Sequence, residues 1–179
     1  MPIDDCIYCL RQFQQYFNKL TVIWHGGEPT VLGIDYVRTV IEALNEGGQV
    51  EWHMQTNGTL LNDNWFQLAK EYDIQLGLSW DGIHNEKTRG VQLDLEYLRR
   101  KKREYDLGFG FLMTVTPDNA VDLIANAAVA FEQGFEIDFN RRREGIRRDP
   151  EQQEPAVRSD QVQRLAGKWS ALRLCISGA

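Results

Sequence analysis

The chain has 179 residues and a formal net charge of −6, with 42% hydrophobic and 26% charged residues. That balance is ordinary for a globular protein and excludes disordered, collagen-like and coiled-coil chains, while the acidic surplus disfavours nucleic-acid backbone and anionic membrane as partners. No apolar run approaches the roughly 18 residues of a membrane span, and the acidic start MPIDDCIYC is unlike a secretory signal, so a cytoplasmic location is expected.

Leu10, Phe13 and Phe17 fall on one helical face, which predicts a helix over Cys9–Phe17. The run Leu20–Trp24, rich in β-branched residues and stopped by Gly26-Gly27, predicts a buried strand. Val37, Val40, Ile41 and Leu44 predict a helix over Ile34–Leu44. Val50–Met54 alternates as a strand and closes in the turn-prone Asn57-Gly58. Asn62 is placed to cap a helix running to about Tyr72. The next strand, Ile74–Trp80, stops at Asp81-Gly82. A polar loop, a charged helix over Leu93–Tyr105, a strand over Phe109–Thr116, a helix over Ala120–Gln133 and a strand over Phe135–Phe139 complete the pattern. Five arginines between Arg141 and Arg148, followed by the polar stretch to Pro155, read as a linker. Ser159 is placed to cap a last amphipathic helix through Trp169 and Leu172. Strands alternating with helices of about 10–15 residues mean α/β: a parallel sheet covered by helices.

In such a sheet the site is built from loops at the C-terminal strand ends. The polar, glycine-rich residues cluster there, in His25-Gly26-Gly27-Glu28-Pro29, Gln55-Thr56-Asn57-Gly58 and Ser79-Trp80-Asp81-Gly82. Gly26 and Gly27 would let a small molecule approach the backbone, and Glu28 would accept from an ammonium group, although a tight turn with a solvated carboxylate fits the same residues. Cys6 and Cys9, as Cys-x-x-Cys, fit either a buried structural pair or part of a zinc or iron–sulfur site. His25, His53 and His84 are scattered and lack the spacing of a zinc helix motif. No nucleophile elbow, phosphate-binding loop or dinucleotide fingerprint is present.

Together these segments resemble the radical S-adenosylmethionine (SAM) family, in particular the anaerobic sulfatase-maturating enzymes and related peptide maturases. Asp5-Cys6-Ile7-Tyr8-Cys9 is similar to the end of the family's Cys-x-x-x-Cys-x-x-Cys motif. Trp24–Thr30 is similar to its GGEP segment, Gln55–Leu61 to the exit of its third strand, and Ser79–Gly82 with His84-Asn85 and Arg89-Gly90 to its fourth strand and loop. The resemblance spans residues 2–140 and implies a partial, TIM-like (β/α)6 barrel lacking its first strand, with an exposed sheet edge where that strand would lie. Residues 141–179 would be linker and helix, without the auxiliary-cluster domain.

The resemblance further implies two cofactors, a [4Fe–4S] cluster and SAM. Cys6 and Cys9 would be cluster ligands. Gly26, Gly27 and Glu28 would hold the methionyl ammonium, Ser79 the ribose and Arg89 the methionyl carboxylate, with Tyr8 near the adenine and Gln55 and Asn57 facing SAM or substrate. The implied partners are a protein or peptide such as a sulfatase, and an electron donor such as flavodoxin or ferredoxin. Pro2 stands where the first cluster cysteine belongs. Three readings follow: a maturase core, an inactive remnant of that family, or a SAM-binding module without a cluster.

Overall fold

The structure is a computed structural model that describes residues 1–45, 49–116, 119–141 and 172–175. Helix α1 (Ile3–Gln14) leads into β1 (Lys19–Trp24), α2 (Ile34–Asn45), β2 (Gln49–Thr56), α3 (Asp63–Glu71) and β3 (Gln75–Ser79). After β3 come the short α4 (Asn85–Arg89), α5 (Leu95–Glu104), β4 (Gly110–Val115), α6 (Leu123–Glu132), β5 (Ile137–Arg141) and β6 (Leu172–Cys175). Strands β1 to β5 lie side by side in chain order, each parallel to the next. Right-handed crossovers between strands laid down in one direction put every connecting helix on the same face. The other face stays free for polar residues, the arrangement of a barrel wall.

The period-two alternation decides which side chains go where. Leu20, Val22 and Trp24 of β1, Trp52, Met54 and Thr56 of β2, Leu76 and Leu78 of β3, and Phe111 and Met113 of β4 are buried. Their neighbours Ile23, His53, Gln55, Gly77 and Ser79 are half-buried and share the opposite face, because Ile23 pairs with His53, Gln55 with Gly77 and Ser79 with Leu112. An aromatic row ties the helices to the sheet: Phe66 stacks on Phe109 (6.0 Å between centroids), Phe109 meets Phe135 (5.8 Å), Phe135 meets Phe111 (4.6 Å) and Phe111 meets Trp80 (4.7 Å). Each such contact adds about 0.5–1.5 kcal/mol beyond the area it buries. Trp24 stacks on Trp52 at 6.3 Å at the β1–β2 end of the same layer.

Asn62 caps α3 by accepting from the N–H groups of Asn64 and Trp65, and Asp94 caps α5 by accepting from Tyr97. Toward the two ends of the chain, elements differ from the sequence expectation. Helix α1 begins at Ile3 rather than near Cys9, so both cysteines lie inside it; Cys6, Cys9 and Leu10, spaced i, i+3, i+4, form its buried stripe. At the other end, Leu172, expected to close a helix, lies in β6, which pairs antiparallel with Thr21–Trp24. The free edge of β1 is therefore covered by the chain itself, which is how a sheet hides unpaired N–H and C=O groups. The preceding part of that expected helix, and most of the arginine run, lie outside the described residues.

Candidate functional site at the strand exits

Three strand exits, those of β1, β2 and β3, bring the sequence-selected residues to one end of the sheet. Trp24 is buried and ends β1. Gly26 and Gly27 then take φ of +92° and +70°, conformations that side-chain-bearing residues rarely adopt. A β-carbon on Gly27 would meet nothing within 4 Å, so the backbone there is open to approach. Pro29 starts a single 3₁₀ turn to Leu32, and Glu28 caps it.

The Glu28 carboxylate is largely engaged within the protein. Its Oε1 accepts from the backbone N–H of Thr30 (3.1 Å), from the Thr30 hydroxyl and from the Thr56 hydroxyl (2.6 Å). Its Oε2 accepts from the backbone N–H of Asn57 (2.7 Å). A carboxylate offers about four acceptor positions, so these donors account for most of what Glu28 has. Thr56 is buried and its hydroxyl oxygen accepts in turn from Gly58 N–H (3.1 Å). Asn57 turns its Oδ1 back to the N–H and hydroxyl of Thr59 at 2.9 and 2.7 Å.

The β2 and β3 exits are joined by side chains on the open face. Gln55 lies across Gly77, where a β-carbon would stand 2.3 Å from Gln55 Oε1, and donates from Nε2 to the Ser79 hydroxyl at 3.1 Å. Arg89 makes a two-pronged ion pair with Asp81, Nε to Oδ2 at 2.9 Å and a terminal nitrogen to Oδ1 at 3.0 Å. Its planar fork is occupied by a carboxylate of the same loop.

The first motif is arranged differently. Cys6 is fully buried, Cys9 is buried beside it, and Tyr8 is exposed on another side of α1. The Tyr36 hydroxyl donates to the Met1 carbonyl at 3.3 Å. Burial pushes both thiols above their ordinary pKa; the Tyr36 hydroxyl opposes the rise at Cys6, and the charge of Asp5 adds to it at Cys9. Among the described residues no group of three or more His, Cys, Asp or Glu side chains converges as a metal site. Two interior thiols on one helix stripe do not by themselves fit a [4Fe–4S] cluster. Cys175 pairs with Thr21, within β1 rather than at its exit. His25 is exposed, His53 lies on the open sheet face, and His84 Nε2 lies 3.1 Å from Asp122 Oδ2.

Sequence reasoning passed over Gly77 and Asn126, and placed Thr30, Thr56 and Asn85 in motifs without giving them a role. Asn85 accepts from Asp81 N–H at 2.8 Å and donates to the Val91 carbonyl at 2.7 Å. A buried asparagine inside a turn-rich segment is the local signal that pointed to it.

No protein-family model matches the chain. It is 31% identical over 113 residues to the cysteine-type anaerobic sulfatase-maturating enzyme of Clostridium novyi, an alignment covering 54% of this chain and 30% of that enzyme. It is 35% identical over 70 residues to the serine-type enzyme of Klebsiella aerogenes, covering 36% of this chain and 17% of that one. The chain therefore spans less than a third of the length of these relatives. Among solved structures, native anSMEcpe with bound AdoMet and Kp18Cys peptide superposes with a TM-score of 0.62 at 19% identity, over 75% of this chain and 41% of that one. Streptococcus suis SuiB bound to S-adenosylmethionine superposes with a TM-score of 0.59 at 18% identity, over 82% and 35%. These two carry the likeness of fold, that of a TIM-type barrel in part. Over the residues it spans, the chain is similar in sequence to the anaerobic sulfatase-maturating enzymes and in fold to anSMEcpe and SuiB.

Proposed function

We propose that the exits of β1, β2 and β3 form a SAM-binding site, and that the chain is the SAM-binding part of a core of the sulfatase-maturase type. What carries this reading is the joining of three adjacent parallel exits into one polar rim, Glu28 to Thr56 and Asn57, then Gln55 to Ser79. The open backbone at Gly27, with Gly26 before it, is the part of that rim a methionyl ammonium would meet, through carbonyl oxygens. Glu28 fixes the two loops that present those carbonyls. Ser79 would take the ribose, and Arg89, shared with Asp81, the methionyl carboxylate. Tyr8 would lie at the adenine side, and Gln55 and Asn57 toward the substrate.

In the family, reductive cleavage of SAM depends on a [4Fe–4S] cluster and on an electron donor such as flavodoxin or ferredoxin. Cys6 and Cys9 account for two thiols, so that chemistry requires a further ligand from outside the described residues. A protein or peptide substrate such as a sulfatase, and a cytoplasmic location, belong to the same proposal. Among the described residues no helix is long and apolar enough to cross a membrane. The buried state of both thiols favours a second reading, SAM binding without a cluster.

Titration calorimetry of the purified chain with SAM tests the site. Saturable binding weakened by Ser79→Ala and Arg89→Ala is expected, and absence of binding would overturn the proposal. Anaerobic reconstitution with iron and sulfide, followed by reduction, separates the two readings. Production of 5′-deoxyadenosine would make this chain a cleaving enzyme; SAM binding without iron retention would make it a cluster-free module.

A further inference from the structure

The segment between Ser79 and Arg89 carries two residues of the proposed site, and its backbone is held by one partner within the segment and two from far along the chain. Trp80 N–H donates to the Leu112 carbonyl at 3.2 Å and Asp81 N–H to Asn85 Oδ1 at 2.8 Å. Ile83 N–H donates to Asn126 Oδ1 at 2.9 Å. Asn126 projects from α6 and is fully buried. Gly82, with φ of +81°, sits directly on its amide: a β-carbon there would stand 2.2 Å from Asn126 Cγ and Oδ1. Turn and side chain are thus interlocked. One turn before Asn126, at the start of α6, Asp122 makes a second tie to the same segment through His84 Nε2 at 3.1 Å.

Asn126 is a poor choice for packing alone. Its amide nitrogen has only the Met113 sulfur at 3.9 Å, a weak acceptor. A buried amide donor without a strong partner is costly, and leucine, with the same number of heavy atoms, would carry no such donor. What asparagine supplies and leucine does not is an acceptor for Ile83 N–H. That bond sets the direction in which the chain leaves Trp80.

We infer that Asn126 is a positioning residue: through the Gly82–Ile83 turn, it places Ser79 and Arg89 for a ligand at the strand exits. The inference rests on the SAM-binding reading above, and its test has a readout that needs no ligand. In the full chain, Asn126→Leu should speed amide exchange over residues 79–90 by about tenfold, the effect of losing one ordering hydrogen bond. Exchange in β1 and β2 should not change, and SAM affinity should fall several-fold. Asn126→Asp, which keeps the acceptor but buries a carboxyl group, should restore part of both. Gly82→Ala should open the same segment, and adding Asn126→Ala, which removes the atoms the new methyl strikes, should recover part of the loss. This pair keeps the test decisive where Asn126→Leu does not fold.

Unchanged exchange over 79–90 in Asn126→Leu, or a rise spread evenly along the chain, would overturn the inference. If the wild-type chain does not bind SAM, the functional reading falls, and the exchange result still decides the positioning role.

Discussion

The backbone N–H of Asn57 donates to Glu28 Oε2 at 2.7 Å, so the loop after β1 and the loop after β2 are fastened to each other by one carboxylate. The same side chain holds Thr56 and Thr30, which makes Glu28 a staple between adjacent strand exits as well as a member of the glycine-rich loop. Removing it strands donors in a half-buried site. Glu28→Ala should therefore cost about 3 kcal/mol in urea unfolding at neutral pH, and Glu28→Gln about half that, since the amide still accepts through one end. A cost below about 0.5 kcal/mol for the alanine variant, the level of an ordinary surface change, would show that the staple does not hold the loops.

Gly77 is the slot across which Gln55 reaches Ser79. A methyl group there meets only the end of a flexible side chain, which moves at little cost. Gly77→Ala should change stability by less than about 1 kcal/mol. It should nonetheless break the Gln55–Ser79 contact and weaken SAM binding by about fivefold or more, the effect of losing about one hydrogen bond. Calorimetry and thermal unfolding on the same preparation separate the two effects; equal affinity would mean that Gln55 does not set Ser79.

Gly110 stands against backbone instead. A β-carbon there would lie 2.6 Å from the Glu136 carbonyl oxygen, the acceptor of Phe111 N–H at 2.8 Å. Gly110→Ala must push β4 away from the entry to β5 and should cost about 2 kcal/mol. Gly108→Ala, two residues earlier and facing open space, is the control and should stay within about 0.5 kcal/mol of wild type. Equal unfolding midpoints for the two variants would contradict the close approach of these strands.

Acid stability has two identifiable contributors on the surface. Lys19, at 2.7 Å, is the main reason that Glu51 titrates below its ordinary value of 4.5, and Arg38, at 2.8 Å, does the same for Glu71. The unfolded chain binds these protons first as pH falls. Their stabilisation is therefore present above about pH 4.5 and is lost as pH drops through the lowered native values. Both pairs are exposed, so the effect is small and salt-sensitive. The Glu51→Gln/Glu71→Gln variant should be less stable than wild type at neutral pH and converge with it in acid, read as urea midpoints across the range. Parallel pH curves would rule the pairs out as contributors.

Much of the fold was legible because its determinants are local. Alternation in Val50–Met54, the helical spacing of Val37, Val40, Ile41 and Leu44, and the cap at Asn62 each act within a few residues, and all recur in the structure. The start of α1 was misplaced because only Leu10, Phe13 and Phe17 were read at helical spacing, whereas Cys6 and Cys9, which fitted either a buried pair or a metal site, are buried with Leu10 on the same helix. The segment after β3, expected as a loop, contains a 3₁₀ turn and α4, held by buried asparagines.

The sequence by itself determined the α/β class, the order of strands and helices, and the three loops that gather polar residues at one end of the sheet. Tertiary structure alone decided what those residues do to one another. Glu28 meets Asn57 across 29 positions and Asn126 meets Ile83 across 43. β1 finds its edge partner in Leu172–Cys175. Periodicity reports which face of its own element a residue occupies. Which donor fills a carboxylate's lone pairs, or which glycine a distant amide lies against, depends on how separate elements pack, and nothing in the local pattern records it.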